Sequence, residues 1–160
     1  MLRAHTVLCF LFIYGFAAMS VRAQPNVERP RANNVDQLVS SNIEFFEHLL
    51  TSLATLSGVP RQDYLQHLKM NGAQERILSE AATSFKARED VLRQSANAIL
   101  SQGSGPEQSF ALGQVRAQRS QLLLQSATKL MQSLDAEGVA RLADRIEQVN
   151  ALNPKRAGRL

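Results

Sequence analysis

The tightest constraint on this chain is the breaker-rich run Ser101-Gln-Gly-Ser-Gly-Pro106, set between two long stretches of helical periodicity. Before it, Leu78, Phe85, Leu92 and Ile99 recur at seven-residue spacing, with Ala81 and Ala96 filling the same stripe. That is the spacing of one helix face, not the alternation of a strand. After it, Leu112, Val115, Leu122, Leu123, Ala127, Leu130 and Leu134 carry a second stripe. Two apolar-striped helices joined by so short a loop fold back on each other. The expectation is therefore an all-α fold, a helical bundle built on a long antiparallel, coiled-coil-like helix hairpin. Gly103 and Gly105 stop the first helix. Ser104 as cap, Pro106 at the first helical position and Glu107 as the capping-box residue start the second.

A register follows from the two stripes. Setting Leu78 opposite Leu130 also sets Ala81 opposite Ala127, Phe85 opposite Leu123 and Ala96 opposite Leu112, so these layers are apolar or small. The layer in the middle differs: Glu89 falls opposite Arg119, Leu92 opposite Arg116, and Arg88 lies one position away. One reading is a structural ion pair, Glu89 with Arg119, that sets the helix register, because a charge on a seam needs a partner. The other counts the guanidiniums of Arg88, Arg116 and Arg119 against one carboxylate and makes the layer a site for a carboxylate or phosphate.

Upstream, Arg3 and His5 precede the apolar run Val7 to Phe16, and Val21-Arg22-Ala23 offers small residues where a signal peptidase reads. Residues 1–23 therefore read as a secretory signal, too short for a comfortable membrane span. The alternative, an uncleaved N-terminal anchor, draws on the extension of the apolar stretch by Gly15 to Met19. Cleavage after Ala23 would leave a chain beginning at Gln24, without a membrane span, located in the periplasm or secreted. It would remove Arg3, Arg22 and Cys9, the only cysteine, and lower the formal net charge of +4 by those two arginines. Such a balance, with no basic patch interleaved with aromatics, argues against nucleic acid as a partner. A cysteine-free exported chain forms no disulfide and depends on its core.

Residues 24–33 hold two prolines and little to bury, and read as a flexible leader. The helical bundle then runs over 34–152, and 153–160 form a basic, breaker-rich flexible tail. Within the bundle the spacing predicts main helices over 35–57, 73–101, 105–134 and 136–150. The first starts with Asn33 or Asn34 as cap and Asp36 in its first turn, and closes at Gly58-Val-Pro60 in the manner of a Schellman motif. Asn42 interrupts its apolar face and needs a hydrogen-bond partner or solvent. A short piece over 61–70, with Tyr64, Leu65 and Leu68 inward and Asn71-Gly72 as its close, bridges to the hairpin. Asp135 caps the last helix, whose apolar face (Val139, Leu142, Ile146, Val149) is narrow. Met70 and Met131 sit at apolar positions as core filler.

Chemistry is sparse. Glu44 with His48, and Asp63 with His67, share helix faces at i, i+4 and are the only candidate metal-ligand pairs, each short of a full set. No H-E-x-x-H or G-x-S-x-G motif occurs, and no serine has a recognisable base. No enzyme activity and no cofactor are expected. Amphipathic helices without a catalytic set point to binding, with a protein or an envelope component as partner.

The order of a signal peptide, Ile43-Glu-Phe-Phe-Glu-His-Leu-Leu50, Asp63-Tyr-Leu-Gln-His-Leu68, a long helix, a loop, Gln118-Arg-Ser-Gln-Leu-Leu-Leu124 and Leu134-Asp-Ala-Glu-Gly-Val-Ala-Arg-Leu142 resembles a loose group of uncharacterised small exported all-helical proteins from soil bacteria. A second, weaker resemblance is to periplasmic metal-stress and chaperone proteins of the L-T-x-x-Q type, whose motif would fall at Leu134 to Gly138, with Asp135 in place of threonine and Gly138 in place of glutamine. The alternative role, in line with that resemblance, is a periplasmic metal- or anion-responsive stress protein that uses the acid–histidine pairs or the arginine layer.

Overall fold

The computed structural model describes residues 32–152. The expected signal, nearly all of the leader and the basic tail lie outside the described residues. Within them the chain is all helix: α1 (Ala32–Ser41), α2 (Ile43–Thr55), α3 (Gly58–Leu68), α4 (Gly72–Ser101), α5 (Pro106–Ser133) and α6 (Ala136–Leu152). The long hairpin is α4 and α5, which pack together along their length. α2 lies across both of its helices, α1 reaches α5, and α3 and α6 pack on each other beside α2.

The expected first helix is two. Asn42 has left helical geometry (φ −127°, ψ 31°) between α1 and α2. Its side-chain Nδ2 donates to the Leu38 carbonyl at 2.8 Å, the acceptor an unbroken helix would give to its backbone N–H, which bonds Val39 O instead. A side-chain amide that substitutes for the backbone in this way breaks the ladder. Asn42 Oδ1 then accepts from Asn150 Nδ2 at 3.0 Å, tying the break to the end of α6. α1 also begins earlier than the leader boundary allowed, so Asn33 and Asn34 fall inside it rather than at its cap. Asp36 Oδ1 accepts from Thr128 of α5 at 3.5 Å.

Other ends differ from expectation in instructive ways. α2 closes without a Schellman turn: Leu56 leaves in an extended conformation, and Gly58, at φ +61°, opens α3 instead of closing α2. Lys69 takes the left-handed position after α3 (φ 54°), while Asn71-Gly72 starts α4 instead of closing the bridge. There Asn71 Oδ1 accepts from the N–H groups of Ala73 and Gln74, and Gln74 Oε1 accepts from Asn71 N, a reciprocal capping box. At the hairpin turn Gly105, not Ser104, occupies the cap of α5, without a side-chain bond, and Pro106 holds the first helical position. With the cap one residue later, Glu107 is out of register for a capping box. Asp135 caps α6 through a 2.8 Å bond from Gly138 N.

One apolar cluster holds these elements together. Phe46, Leu49, Leu50 and Leu53 of α2 fill it together with Leu78, Ala82 and Phe85 of α4, Leu123, Ala127, Leu130 and Met131 of α5, Leu142 and Ile146 of α6 and Val35 and Val39 of α1. Met70 and Met131 are both in it. Ala82 is fully buried where the two-helix register expected Ala81. With α2 laid over the hairpin, the inward direction of α4 turns toward α2, and the residue on that side is Ala82. Burial stops abruptly: past Phe85 in α4 and before Leu122 in α5 no residue is buried, and the hairpin continues as a two-helix arm.

Candidate binding groove

Where the arm leaves the core, a groove of about 1080 Å³ opens between the polar face of α2 and the faces of α3 and α6. It exists because α2 has only one buried face. Phe46, Leu49, Leu50 and Leu53 turn inward, so Glu44, Glu47, His48 and Thr51 must turn outward, and α3 and α6 stand beside them as a second wall. Phe45, Tyr64, Leu68 and Val149 give it apolar and aromatic surface. The ring of Phe45 meets Phe46 edge-on with centroids 5.5 Å apart, which anchors it to the core.

At the inner end sits the charged layer. Glu89 Oε1 accepts from Arg119 Nε at 2.8 Å and from Arg119 Nη2 at 2.6 Å. The same Nη2 donates to Glu47 Oε1 at 2.7 Å. Arg119 therefore joins three helices, and its acidity falls further below the ordinary guanidinium range, first because Glu47 accepts from it, against the opposing effect of burial, and then because of Glu89. Glu47 is the member that sequence reasoning missed. It lies on the polar face of α2, and nothing in the hairpin's own stripes says which side of the hairpin that face will meet.

The arginine cluster read from the sequence does not assemble. Arg116 is exposed, its carbonyl accepting from Ser120. Arg88 is exposed and lines a different cavity, of about 390 Å³, with Glu80 and Lys129. Instead of three guanidiniums around one carboxylate, there is one guanidinium between two carboxylates. The physical reason is helical phase: Arg88 and Glu89 are neighbours in sequence and so point about 100° apart.

The two acid–histidine pairs do come together, as opposite walls of this groove: Glu44 and His48 on α2, Asp63 and His67 on α3. Among the described residues no group of three or more His, Cys, Asp or Glu side chains is placed to hold a metal ion. His67 Nδ1 lies 2.6 Å from the Asp63 carbonyl, and since a carbonyl only accepts, Nδ1 carries a proton there. His48 Nδ1 lies 3.4 Å from Ser52 Oγ, and its ring faces that of Tyr64 with centroids 6.3 Å apart. Tyr64 holds its proton more tightly than an ordinary phenol because it is buried, an effect partly offset by the charge of Arg145 and a hydrogen bond with Ser52. Arg145 itself donates to Gln148 Oε1 at 3.1 Å.

The lining as a whole carries four carboxylates (Glu44, Glu47, Asp63, Glu89) and two guanidiniums (Arg119, Arg145), and is acidic within a chain of formal net charge +4. Chemically the arrangement offers hydrogen-bond acceptors around aromatic surface. Comparison with protein-family models, with curated proteins and with solved structures gives no match.

Proposed function

We propose that this chain is an exported, non-enzymatic helical protein that binds a protein or envelope component in the groove between α2, α3 and α6. The observation that carries the reading is the groove itself: a concave surface in which the apolar and aromatic side chains of Phe45, Tyr64 and Val149 lie among charged ones is the form that binding sites take. Export rests on the reading of residues 1–23 as a signal. It is tested by mass spectrometry of the protein from its native host, which should find a chain starting at Gln24 or a nearby residue such as Val21. An intact Met1 in the cytoplasm would overturn it. Binding is tested by placing a photo-reactive residue at Thr51, in the groove, or at Glu80, on the opposite side, and irradiating the purified protein in envelope extract. Discrete adducts from position 51 and none from position 80 support the reading, and adducts from position 80 alone overturn it.

The alternative role, a metal-responsive stress protein, has one supporting observation, that both acid–histidine pairs face the same groove. Calorimetric titration with zinc and copper tests it. Heat of binding that disappears in a His48→Ala, His67→Ala double variant supports it, and its absence in the unaltered protein removes it.

A further inference from the structure

Resting on the reading of the groove as a binding surface, we infer that its occupant is a lysine- or arginine-rich peptide segment of another protein, carrying at least one apolar side chain. Three features argue for that chemistry together. With Glu44 left out of the count, the carboxylates of Glu47, Asp63 and Glu89 still outnumber the guanidiniums of Arg119 and Arg145 around the groove, opposite in sign to the chain as a whole, so a cationic segment gains from the local field where an anionic one is repelled. The inner wall already holds a guanidinium between carboxylates: Arg119 sits 2.6 Å from Glu89 and 2.7 Å from Glu47. Those two carboxylates exceed the one cation between them and leave acceptor capacity facing the groove. Finally, Phe45 and Tyr64 present aromatic surface beside these acids, and aromatic faces attract cationic heads while sheltering the methylene stems of lysine and arginine.

The size of the groove selects among cations. At about 1080 Å³ it exceeds what a single amine or metal ion would fill and lies at the upper end of the small-ligand range, which suits several consecutive side chains. Asp63 is exposed on α3 and able to meet such a segment without disturbing the core.

The test uses the purified protein and three fluorescent peptides of equal length, alternating leucine with lysine, glutamine or glutamate, followed by anisotropy at low and physiological salt. The lysine peptide should bind about tenfold or more tighter than the glutamate peptide, with affinity falling as salt rises. Asp63→Lys should weaken the lysine peptide about fivefold and Tyr64→Ala by a similar factor, while Glu80→Lys, on the opposite side, leaves it unchanged. Circular dichroism of each variant confirms that the helices are kept. Equal affinity for all three peptides would overturn the basic segment while leaving the groove as a binding surface. No binding of any peptide, with adducts still formed at position 51, overturns it equally. Loss of both peptide binding and adducts removes the groove reading itself. If a variant ending at Leu152 binds the lysine peptide and the full chain does not, the occupant is the chain's own Lys155-Arg156 tail, and the assignment to another protein fails.

Discussion

The two halves of the hairpin carry the same seven-residue apolar repeat and meet different surroundings. From Leu78 to Phe85, and from Leu122 back to Met131, α2 lies over the pair and closes the seam into a core with Leu78, Ala82 and Phe85 fully buried. From 90 to 101 and from 106 to 118 neither helix has a buried residue, and Leu92, Ala96, Ile99, Leu112 and Val115 are only half-buried. Phe110 and Val91 stand out in solvent at 70% and 60% exposure. A two-helix seam shelters one stripe per helix incompletely. It takes a third helix to exclude water, and the Glu47–Arg119–Glu89 layer sits just past Phe85 and Leu122, where burial of the hairpin ends.

The contrast is broken most directly at Phe85. Phe85→Ala should destabilise the protein by about 3–5 kcal/mol in urea denaturation, because a fully enclosed ring leaves a cavity. A loss near that of an arm residue would show that the proximal half is no better packed than the arm. Next comes the boundary. Arg119→Ala should cost on the order of 1 kcal/mol, with the half-exposed guanidinium discounted for screening by solvent. A cycle combining Arg119→Ala with Glu89→Ala should show a double variant that loses clearly less than the sum of the single losses. Additive losses would mean that the layer joins nothing. Third, Ile99→Ala in the arm should cost about 1 kcal/mol or less, and hydrogen exchange should find the arm amides opening before those of 72–89. Arm amides protected as long as the core would reveal that something covers the arm.

The smallest effect concerns acid. Asp135 and Asp90 both hold their protons less tightly than an ordinary carboxyl, the first mainly through the bond from Gly138 N and then from Gln74, the second mainly through the bond from Lys86. A carboxylate with a lowered folded value contributes stability that is present above the unfolded value of 3.8 and is lost as pH falls through the folded value. Asp135→Asn should therefore flatten the acid limb of the melting-temperature profile below about pH 4. Asp90→Asn, whose partner lies one turn away in the same helix, should leave that limb nearly as it was. The reverse ranking would place the global acid sensitivity in the arm.

The hairpin and the pairing of Glu89 with Arg119 were legible because both depend on two stripes that run through consecutive turns. Helical phase carried over fourteen turns or so keeps such a register well defined. Three features were not legible. Glu47 reaches Arg119 only because α2 lies on one particular side of the hairpin, and that choice is made by packing between segments far apart in sequence. Asn42 stood out in the sequence as a polar residue in need of a partner, but that its amide would take the Leu38 carbonyl and split the helix, with Asn150 as its second partner, depends on the placement of α6. At the hairpin turn, Ser104 and Gly105 are both competent caps one residue apart, and local sequence does not separate them; the chain enters α5 after Gly105, with Gly103 at φ 114° in the turn. For the groove, the acid–histidine pairs were visible one helix at a time, but their sharing of one cleft required the placement of α3 and α6 around α2.

Gln74 has a consequence of its own. It is the one buried polar side chain among the described residues, and its amide works in two directions: Oε1 accepts from Asn71 N at the start of α4, while Nε2 donates to Asp135 at 2.7 Å at the start of α6. The positive ends of two helix dipoles therefore converge near a single carboxylate. Two such ends repel each other, and the charge of Asp135, itself exposed to solvent, offsets that repulsion. Gly138 makes room for this meeting, since a Cβ there would lie 3.0 Å from Asp135 Oδ1 and 3.3 Å from the Gln74 amide carbon. The wall that α6 gives to the groove is thereby tied to the first turn of α4, at the open end of the hairpin, so a change at Gln74 reaches the groove through the seating of α6.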